Sequence, residues 1–536
     1  MRRFPALLLA AVLSLSLLGC EQPADDPQPS PSDTPSPVPT RTVEAVRFSL
    51  GYDPAASLHP ITGDSQVNQE LTGLVYQGLY ELDNQFVPQP VLAASGAPAG
   101  EGYSWTFTMA PGAVFSDGTP VTAQHAAASL NAARTSQVYS TRLAGVTGVS
   151  AADETTLTVY LSAPNGNLPA LLDIPVVLER EDSPAPLGTG YYQYETAGER
   201  LYLQANPYHA EASALPWSTI PLIPASGANE RIAAFDSGNI TAVTTEFSSA
   251  YALGYSSSYE TCDYPTTTLL YVGFKTTGGA CQSELVRRAF SRAFDREGLA
   301  QVQFSGHADP ACLPVSPLCG DYGGEEAALL DYDPEGAAEL LAQAGYQRRE
   351  PGGGAGEGED GGEGEDGGEA DNRLYRRNTP LEVTLLVNSD NESRQAVADA
   401  LAAELTRLGV GVTLSTLPWN DYVKALAAGQ FDLYIGEVRL TGDFDPSPLL
   451  TGGLNYGGYE NWLTTQALWT WKGARGEERT QAAQALWELL AQDAPIAPLC
   501  FKRGSLLVRW GMVSDLQPTR ANPFHRMEEW TTSSNR

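Results

Sequence analysis

The sequence is poor in residues that bind metals or act as catalysts. It contains only five histidines and six cysteines in 536 residues. There is no CxxC pattern, no paired-histidine ligand set and no glycine-rich phosphate loop, and the segment Gly254–Ser258 lacks the closing glycine of a nucleophile elbow. We therefore expect a binding protein with no resident metal or cofactor, and not an enzyme.

Basic residues are also scarce. Lysine and arginine number 32 against 64 acidic residues, which gives a formal net charge of −32. This balance argues against nucleic acid or an anionic membrane face as a partner. Part of the charge lies between Glu350 and Asp371, which holds nine acidic residues, no basic ones and many glycines. We expect residues 350–373 to be a disordered insert, and their spacing fits no calcium-binding loop.

One apolar run stands at the N-terminus, where Arg2 and Arg3 precede residues 4–18 and the segment ends in Leu17-Leu18-Gly19-Cys20. The run is shorter than the roughly 20 residues of a membrane-spanning helix and is followed by polar sequence. We expect residues 1–20 to be a lipoprotein signal and Cys20 to be acylated. The alternative is an ordinary secretory signal that happens to contain a cysteine. Multiple acyl chains would hold the protein stably to the outer face of the cytoplasmic membrane.

Residues 21–42 are expected to form a disordered tether, because seven prolines lie between Glu21 and Thr40. Beyond the tether the chain is long enough for two or three packed units. Cys312 with Cys319 and Cys262 with Cys281 are candidate disulfides in an oxidising compartment, but the connectivity stays open, since the five cysteines beyond Cys20 are odd in number. Zinc is the weaker alternative, because the histidines are scattered.

Apolar spacing predicts a βαβαβ unit near the C-terminal third of the chain. Its elements are strand 381–387, helix 392–408, strand 410–416, helix 421–428 and strand 431–438. The first helix should bury Val397, Leu401, Leu405 and Leu408 and stop at Gly409. The strands of such a unit run parallel. A further helix is marked by Asp333 as N-cap, Pro334 at its first position and Gly345 beyond its end.

Upstream, residues 103–109 and 157–161 alternate like strands, and Thr122 can cap a helix that runs to about Asn131.

The chain also carries a series of short motifs in a fixed order along its length, which are Leu58-His59-Pro60, Leu74-Val75-Tyr76-Gln77-Gly78-Leu79, Val114-Phe115-Ser116-Asp117-Gly118-Thr119-Pro120-Val121, Ala293-Phe294-Asp295-Arg296 and Ala494-Pro495-Ile496-Ala497-Pro498. Together they resemble the family 5 extracellular solute-binding proteins, the receptors of peptide and nickel ABC importers. His59 and Gln77 replace acidic residues of the family pattern.

This resemblance implies an α/β fold: a two-lobed periplasmic-binding-protein-like clamp (type II) with an extra α/β domain on the first lobe. Lobe I would comprise residues 43–78, 186–274 and 494–536, the extra domain 79–185, and lobe II 275–493. A monomer that binds short peptides and delivers them to an ABC permease is expected. A nickel chelate or haem is the alternative ligand, and a sensory lipoprotein or a hydrolase on the same scaffold are the alternative functions.

The resemblance also implies ligand-binding residues. Thr441-Gly442-Asp443-Phe444-Asp445-Pro446 matches the motif whose acidic residue pairs with the ligand's amino group, which places Asp443 in that role. The alternative is a turn residue before Pro446. Trp419 matches an aromatic that lines a side-chain pocket, or else it packs at a helix start. Main-chain groups would pair with the peptide backbone at six further positions, which are Asp64, Ser65, Gln66, Arg439, Leu440 and Thr441.

Overall fold

The computed structural model describes residues 47–181, 183, 185–246, 254–349 and 372–532. The predicted signal, its lipidation residue Cys20, the tether and residues 350–371 of the insert lie outside this part. The described residues, from Arg47 onward, belong to one compact unit. Within the described residues, no helix combines the length and the apolar character needed to cross a bilayer.

The strands of the described residues, in chain order, are β1 (Leu50–Tyr52), β2 (Tyr80–Leu82), β3 (Pro88–Pro90), β4 (Ala93–Ala99), β5 (Ser104–Met109), β6 (Val146–Ala151), β7 (Thr156–Leu161), β8 (Tyr192–Ala197), β9 (Arg200–Ala205), β10 (Thr219–Pro224), β11 (Ala242–Thr245), β12 (Tyr259–Phe274), β13 (Ala308–Pro310), β14 (Gln347–Arg348), β15 (Leu374–Arg376), β16 (Thr379–Pro380), β17 (Glu382–Asn388), β18 (Gly411–Leu417), β19 (Leu433–Arg439), β20 (Ile496–Arg509), β21 (Val513–Ser514) and β22 (Thr531–Thr532).

The α-helices of the same residues are α1 (Gln66–Gln69), α2 (Thr72–Val75), α3 (Ala123–Ala133), α4 (Ala228–Asp236), α5 (Glu284–Ala293), α6 (Arg296–Gln303), α7 (Gly324–Ala328), α8 (Pro334–Gln343), α9 (Glu392–Leu408), α10 (Trp419–Ala427), α11 (Ser447–Leu450), α12 (Trp462–Gly473) and α13 (Gly476–Asp493).

The predicted βαβαβ unit is present as β17, α9, β18, α10 and β19, and β17 pairs in parallel with both β18 and β19. Helix α9 ends where predicted, because Gly409 adopts φ 97°, a left-handed conformation that glycine allows at low cost. Val397, Leu401 and Leu405 are buried, whereas Leu408 in the last turn is only partly covered. The Asp333 side chain caps α8 by accepting a hydrogen bond from the Gly336 N–H.

The hydrophobic core is divided, and this division defines two lobes. The core of the first lobe contains buried residues between Phe48 and Leu222, Ala242, and residues 506–530. The cores of the second lobe lie mainly between Leu269 and Phe501, and one of them also includes Leu82, Phe86 and Ala170 from the first lobe. Within the first lobe, β4, β5, β7 and β6 form an antiparallel sheet, and α3 contacts its strands β6 and β7.

The long strands β12 and β20 connect the two lobes. They pair with each other along their length, first near β11 in the first lobe and then beside β19 in the second. Their register shifts between Pro265 and Leu269, so the ladder is irregular where the chain passes from one lobe to the other. β12 ends at Phe274 and β20 begins at Ile496, and the expected domain boundaries, including those at 274/275 and 493/494, stay a prediction.

The expected disulfides are absent, since all five cysteines of the described residues are free thiols. Cys262 lies on β12 in the first lobe, whereas Cys281 is buried in a core of the second. The Cys312 thiol instead donates to Asp331 Oδ1 at 3.3 Å. Burial raises the pKa of both Cys312 and Cys319 to about 11, which keeps these thiols protonated and unreactive at neutral pH.

Candidate ligand-binding site

A cavity of about 600 Å³ lies where β12 and β20 pass between the lobes. Its volume is in the range of small-molecule sites, about 300–1,000 Å³. Both lobes contribute to its walls, and the lining residues are Ser65, Gln66, Val67, Ser226, Ala228, Arg231, Thr244, Thr245, Glu246, Tyr255, Thr268, Glu437 and Arg439. A second cavity of about 200 Å³ shares Gln66, Thr244, Glu246 and Arg439 with it and extends toward Arg520.

A short turn positions the wall of the first lobe at Ser65 and Gln66. Ser65 is the N-cap residue of α1 in an extended conformation, and its hydroxyl lies 3.4 Å from Asp53 Oδ2. The buried Asn68 holds the preceding loop, because its amide donates to the carbonyls of Asp53, Ala56 and Ser57 at 3.0–3.3 Å. The cavity wall is therefore fixed by side-chain hydrogen bonds to the backbone.

A ladder of alternating charges crosses between the lobes beside the cavity. Lys502, only 7 % exposed on β20, lies 3.2 Å from Glu246 of the first lobe and 3.2 Å from Glu437 of the second. Arg394 at the start of α9 pairs with Glu437 at 3.1 Å, and Arg439 approaches Glu246 at 3.9 Å. Burial opposes ionisation of Glu437, but Lys502 and Arg394 outweigh it and hold the pKa of this carboxyl below its usual value.

A separate ion pair stands on the wall that the first lobe contributes. Arg231 of α4 donates to Glu70 Oε2 at 3.0 Å and to the Thr244 carbonyl at 3.1 Å. Burial raises the pKa of Glu70, and the charge of Arg231 offsets only part of this. The other carboxylate oxygen of Glu70 is buried without a hydrogen-bond partner among the described residues.

The lobes also touch at a second place, where the Phe444 ring lies 5.5 Å from that of Phe501 on β20. Phe86 of the first lobe packs edge to face on Phe444 of the second, with ring centroids 4.7 Å apart. Both residues have positive φ angles, 61° and 55°, which bulky side chains adopt only under strain. Close by, the Gly166 N–H donates to the Lys472 carbonyl at 2.6 Å.

Asp443 lies in this second contact and is 7 % exposed. Its carboxylate accepts hydrogen bonds from the Thr441 hydroxyl at 2.5 Å and from the Asn165 amide of the first lobe at 2.9 Å. The neighbouring Asp445 is paired with Lys472, but no basic side chain of the described residues forms an ion pair with Asp443. Burial, followed by the charge of Asp445, raises the pKa of Asp443.

The other predicted residues are spread around the cleft. Ser65, Gln66 and Arg439 line the larger cavity. Asp64, one residue before this wall, is exposed. The main chain of Leu440 is engaged by Thr267, whose carbonyl accepts from the Leu440 N–H and whose hydroxyl donates to the Leu440 carbonyl.

Trp419 stands apart from both cavities. It is the first residue of α10 and is 52 % exposed. Its ring stacks on the Tyr422 ring, and its main-chain N–H donates to Asp390 Oδ2 at 2.9 Å. The structure thus brings Ser65, Gln66 and Arg439 together and leaves Trp419 outside this group.

Sequence reasoning missed several residues of the cavity, among them Arg231, Glu246, Thr268 and Glu437, and it also missed Lys502 beside the cavity. Lys502 carried a signal, because it interrupts the apolar run of β20. The others had none, since they come from four distant segments that only the strand pairing assembles.

Comparisons with known proteins agree with this architecture. The family model "Bacterial extracellular solute-binding proteins, family 5 Middle" matches residues 87–461. The glutathione-binding protein GsiB of Shigella flexneri serotype 5b is 26 % identical over 306 residues, which cover 54 % of this chain and 60 % of that protein. The chain thus matches less than two thirds of the length of this relative.

Solved structures resemble nearly the whole chain. The unliganded open form of the periplasmic murein tripeptide-binding protein MppA has a TM-score of 0.71 and 18 % identity, and NikZ from Campylobacter jejuni in complex with Ni(L-His) has 0.60 and 16 %. Each match covers 91 % of this chain and 98 or 99 % of the other. They confirm the predicted two-lobed α/β fold, and the family description agrees with a binding protein rather than an enzyme.

Proposed function

The chain belongs to the bacterial extracellular solute-binding proteins of family 5, and we propose that it captures a short peptide between its lobes and delivers it to the permease of an ABC importer. The observation that carries this proposal is the cavity of about 600 Å³ whose walls come from both lobes. A ligand that contacts both walls binds the closed form more tightly than the open form and so shifts the population toward closure.

Asp443 is proposed to receive the amino group of the ligand. A buried ammonium must be paired, and a carboxylate supplies both the opposite charge and hydrogen-bond acceptors. Asn165 reaches Asp443 from the first lobe at 2.9 Å, so opening of the lobes would separate the two and free one carboxylate oxygen. In this proposal the ammonium group of the ligand takes the place of the Asn165 amide.

Main-chain pairing is proposed to hold the peptide backbone, which would give affinity without selecting side chains. Asp64, Ser65 and Gln66 would contribute from the first lobe, and Arg439 and Thr441 from the second. Leu440 would contribute less, because Thr267 already engages its N–H and its carbonyl. Trp419 would contact only a side chain that reaches beyond the two cavities.

We place the protein outside the cytoplasmic membrane as a monomer, held there by an acylated Cys20. The permease and the lipid bilayer are then its partners, and the acidic surface keeps neighbouring molecules apart. A soluble form that starts after Cys20 should bind ligand unchanged, since the described residues begin only at Arg47.

The test is the identity of the bound ligand. Protein purified under native conditions is denatured, and the released small molecules are identified by mass spectrometry. The emptied protein is then screened by thermal shift against pools of di- to pentapeptides, with amino acids as the control. Peptide recovery and a rise in Tm with peptide pools support the proposal. A rise with amino acids or with Ni(L-His) alone contradicts it, and hydrolysis of the peptides by the pure protein would revive the enzyme alternative.

Glutathione is a second candidate ligand, favoured by the similarity to GsiB. It is a tripeptide derivative with a free amino group and two carboxylates, so it carries the groups that Asp443 and the cationic residues of the cleft would bind. Reduced glutathione is therefore added to the same screen as a separate arm.

A further inference from the structure

We propose that Asn165 is a site of spontaneous deamidation, which is suppressed while the lobes are in contact and proceeds when they separate. The chain contains a single Asn-Gly dipeptide, formed by Asn165 and Gly166. It lies in the loop between β7 and a short 3-10 helix (Leu168–Leu171), at the second contact between the lobes. Asn-Gly is the dipeptide that loses its side-chain amide most readily, because glycine has no side chain to hinder attack by its own nitrogen. The site depends on the lobe contact and not on the identity of the ligand.

Both residues of the dipeptide are needed where they stand. The Asn165 amide donates to Asp443 Oδ2 of the second lobe at 2.9 Å. Gly166 packs so closely on the second lobe that a Cβ atom there would lie 1.9 Å from the Ala474 carbonyl oxygen. A side chain at this position would therefore force the two backbones apart. The chain thus carries its one Asn-Gly dipeptide at a place where neither residue can be exchanged freely.

Hydrogen bonds keep the dipeptide unreactive while the lobes touch. The reaction requires the Gly166 nitrogen to lose its proton and to reach Cγ of Asn165. The Gly166 N–H instead donates to the Lys472 carbonyl at 2.6 Å. Both ends of the Asn165 amide are held as well, since its nitrogen donates to Asp443 and its oxygen accepts from the Asn167 N–H at 2.8 Å. Lys472 and Asp443 belong to the second lobe, so opening removes two of these three hydrogen bonds and exposes the half-buried loop to water.

The reaction is an intramolecular displacement followed by hydrolysis. The Gly166 nitrogen forms a bond to Cγ of Asn165, the C–N bond of the side-chain amide breaks, and the amide nitrogen leaves as ammonia with the proton that Gly166 gave up. Water then opens the cyclic imide. Cleavage at Cγ gives aspartate at position 165, and cleavage at the main-chain carbonyl carbon gives isoaspartate. Water is the only co-reactant, and no electrons are transferred.

The product converts an attraction between the lobes into a repulsion. A carboxylate at position 165 would face the buried carboxylate of Asp443, to which an amide N–H now donates. Two carboxylates at this distance repel each other unless they share a proton. Lys472 is already paired with Asp445, and no basic side chain of the described residues forms an ion pair with Asp443. Aged molecules should therefore favour the open form, and the amount of product records how long the protein has spent open.

The experiment follows Asn165 by peptide mapping. The mature protein is emptied of ligand, incubated at mildly alkaline pH and digested at intervals, and asparagine, aspartate and isoaspartate at this position are quantified by mass spectrometry. Two variants weaken the lobe contact. Phe86→Ala removes the ring that packs on Phe444, and Arg475→Ala removes the guanidinium that lies 5.0 Å from the centre of the Trp105 ring of the first lobe. We expect conversion about threefold or more faster in each variant than in the wild type, with heat-denatured protein as the upper limit.

Matched variants separate the lobe contact from a general loss of stability. Trp510→Ala removes an exposed ring just after the end of β20 and should convert at the wild-type rate. Asn165→Gln keeps an amide but must close a larger, less favourable ring, so it should stay intact. Asn165→Asp supplies the product directly and should have a larger radius of gyration than Asn165→Gln in X-ray scattering at neutral pH.

Three results would overturn the proposal. Equally slow conversion in the wild type, Phe86→Ala and Arg475→Ala, with rapid conversion in the denatured chain, would show that the loop itself protects Asn165. Conversion in Trp510→Ala as fast as in Phe86→Ala would assign the effect to stability alone. Equal radii of gyration for Asn165→Asp and Asn165→Gln would show that the product leaves the lobe contact intact.

Discussion

Replacement of Asp443 with asparagine should change affinity and stability in different directions. The carboxylate is 7 % exposed, has two hydrogen-bond donors and forms no ion pair within the described residues. Its raised pKa shows that burial disfavours the charged form. The neutral asparagine removes this cost, so the Tm of the emptied protein should stay constant or rise, as expected for a residue kept for function at the expense of stability.

The affinity for peptides should fall in the same variant. A charge-assisted hydrogen bond is worth about 1.5–3 kcal/mol, and about 1.4 kcal/mol is a factor of ten. We therefore expect a loss of about 10- to 150-fold for peptides with a free amino group, measured by calorimetry. N-acetylated peptides, which carry no ammonium group, should bind both proteins equally.

The pH dependence provides a second readout of the same role. Because the pKa of Asp443 is raised, its carboxyl takes up a proton at a higher pH than an ordinary aspartate, and the protonated form cannot pair with an ammonium. The wild-type affinity should therefore decrease on acidification, and the affinity of Asp443→Asn should not follow it. A variant that loses several degrees of Tm but binds peptides normally would show that Asp443 only holds Asn165, and would refute the reasoning.

Three further perturbations give direct tests. Burial raises the pKa of Glu404 to about 7, so the folded state binds the proton of this carboxyl more tightly than the unfolded state does. The stabilisation from this proton is complete below about pH 4.5 and is lost as the pH rises through 7. Glu404→Gln should therefore be more stable than the wild type by about 1–2 kcal/mol at pH 8, after discounting for solvent screening, and equal to it at pH 4 in urea titrations. Phe86→Ala removes the ring contact with Phe444; it should enlarge the radius of gyration of the unliganded protein in X-ray scattering, and an unchanged radius would contradict the interlobe role. Cys20→Ala should release the protein from membranes into the medium or periplasm, and retention in the membrane fraction would refute the lipid anchor.

The elements with local signals could be predicted from the sequence. Helix α9 carries its own apolar spacing and ends at Gly409, and Asp333 with Pro334 marks the start of α8. These features depend on residues within one or two helical turns of each other. Leu408 was predicted to be buried, but in the last turn of α9 it is only partly covered and packs against the edge of the core that contains Leu405.

The walls of the site could not be predicted in the same way. Thr244 and Thr268 line the same cavity only because β11 and β12 both pair with β20, which follows more than 200 residues later in the chain. The hydrogen bond from Asn165 to Asp443 joins residues 278 positions apart. No local pattern specifies such contacts. The family motif indicated Asp443, but its enclosure between the lobes depends on how they meet.

The pairing of β12 with β20 limits how the molecule can move. Two unpaired linkers would allow one half to rotate freely relative to the other, whereas here the two connections are hydrogen-bonded to each other on both sides of the irregular segment near Pro265. They can bend together about that segment but cannot twist independently. The motion is therefore expected to have a single direction, so that any solute brings the same two surfaces into the same final alignment, and a docking protein can recognise that alignment whichever solute is enclosed.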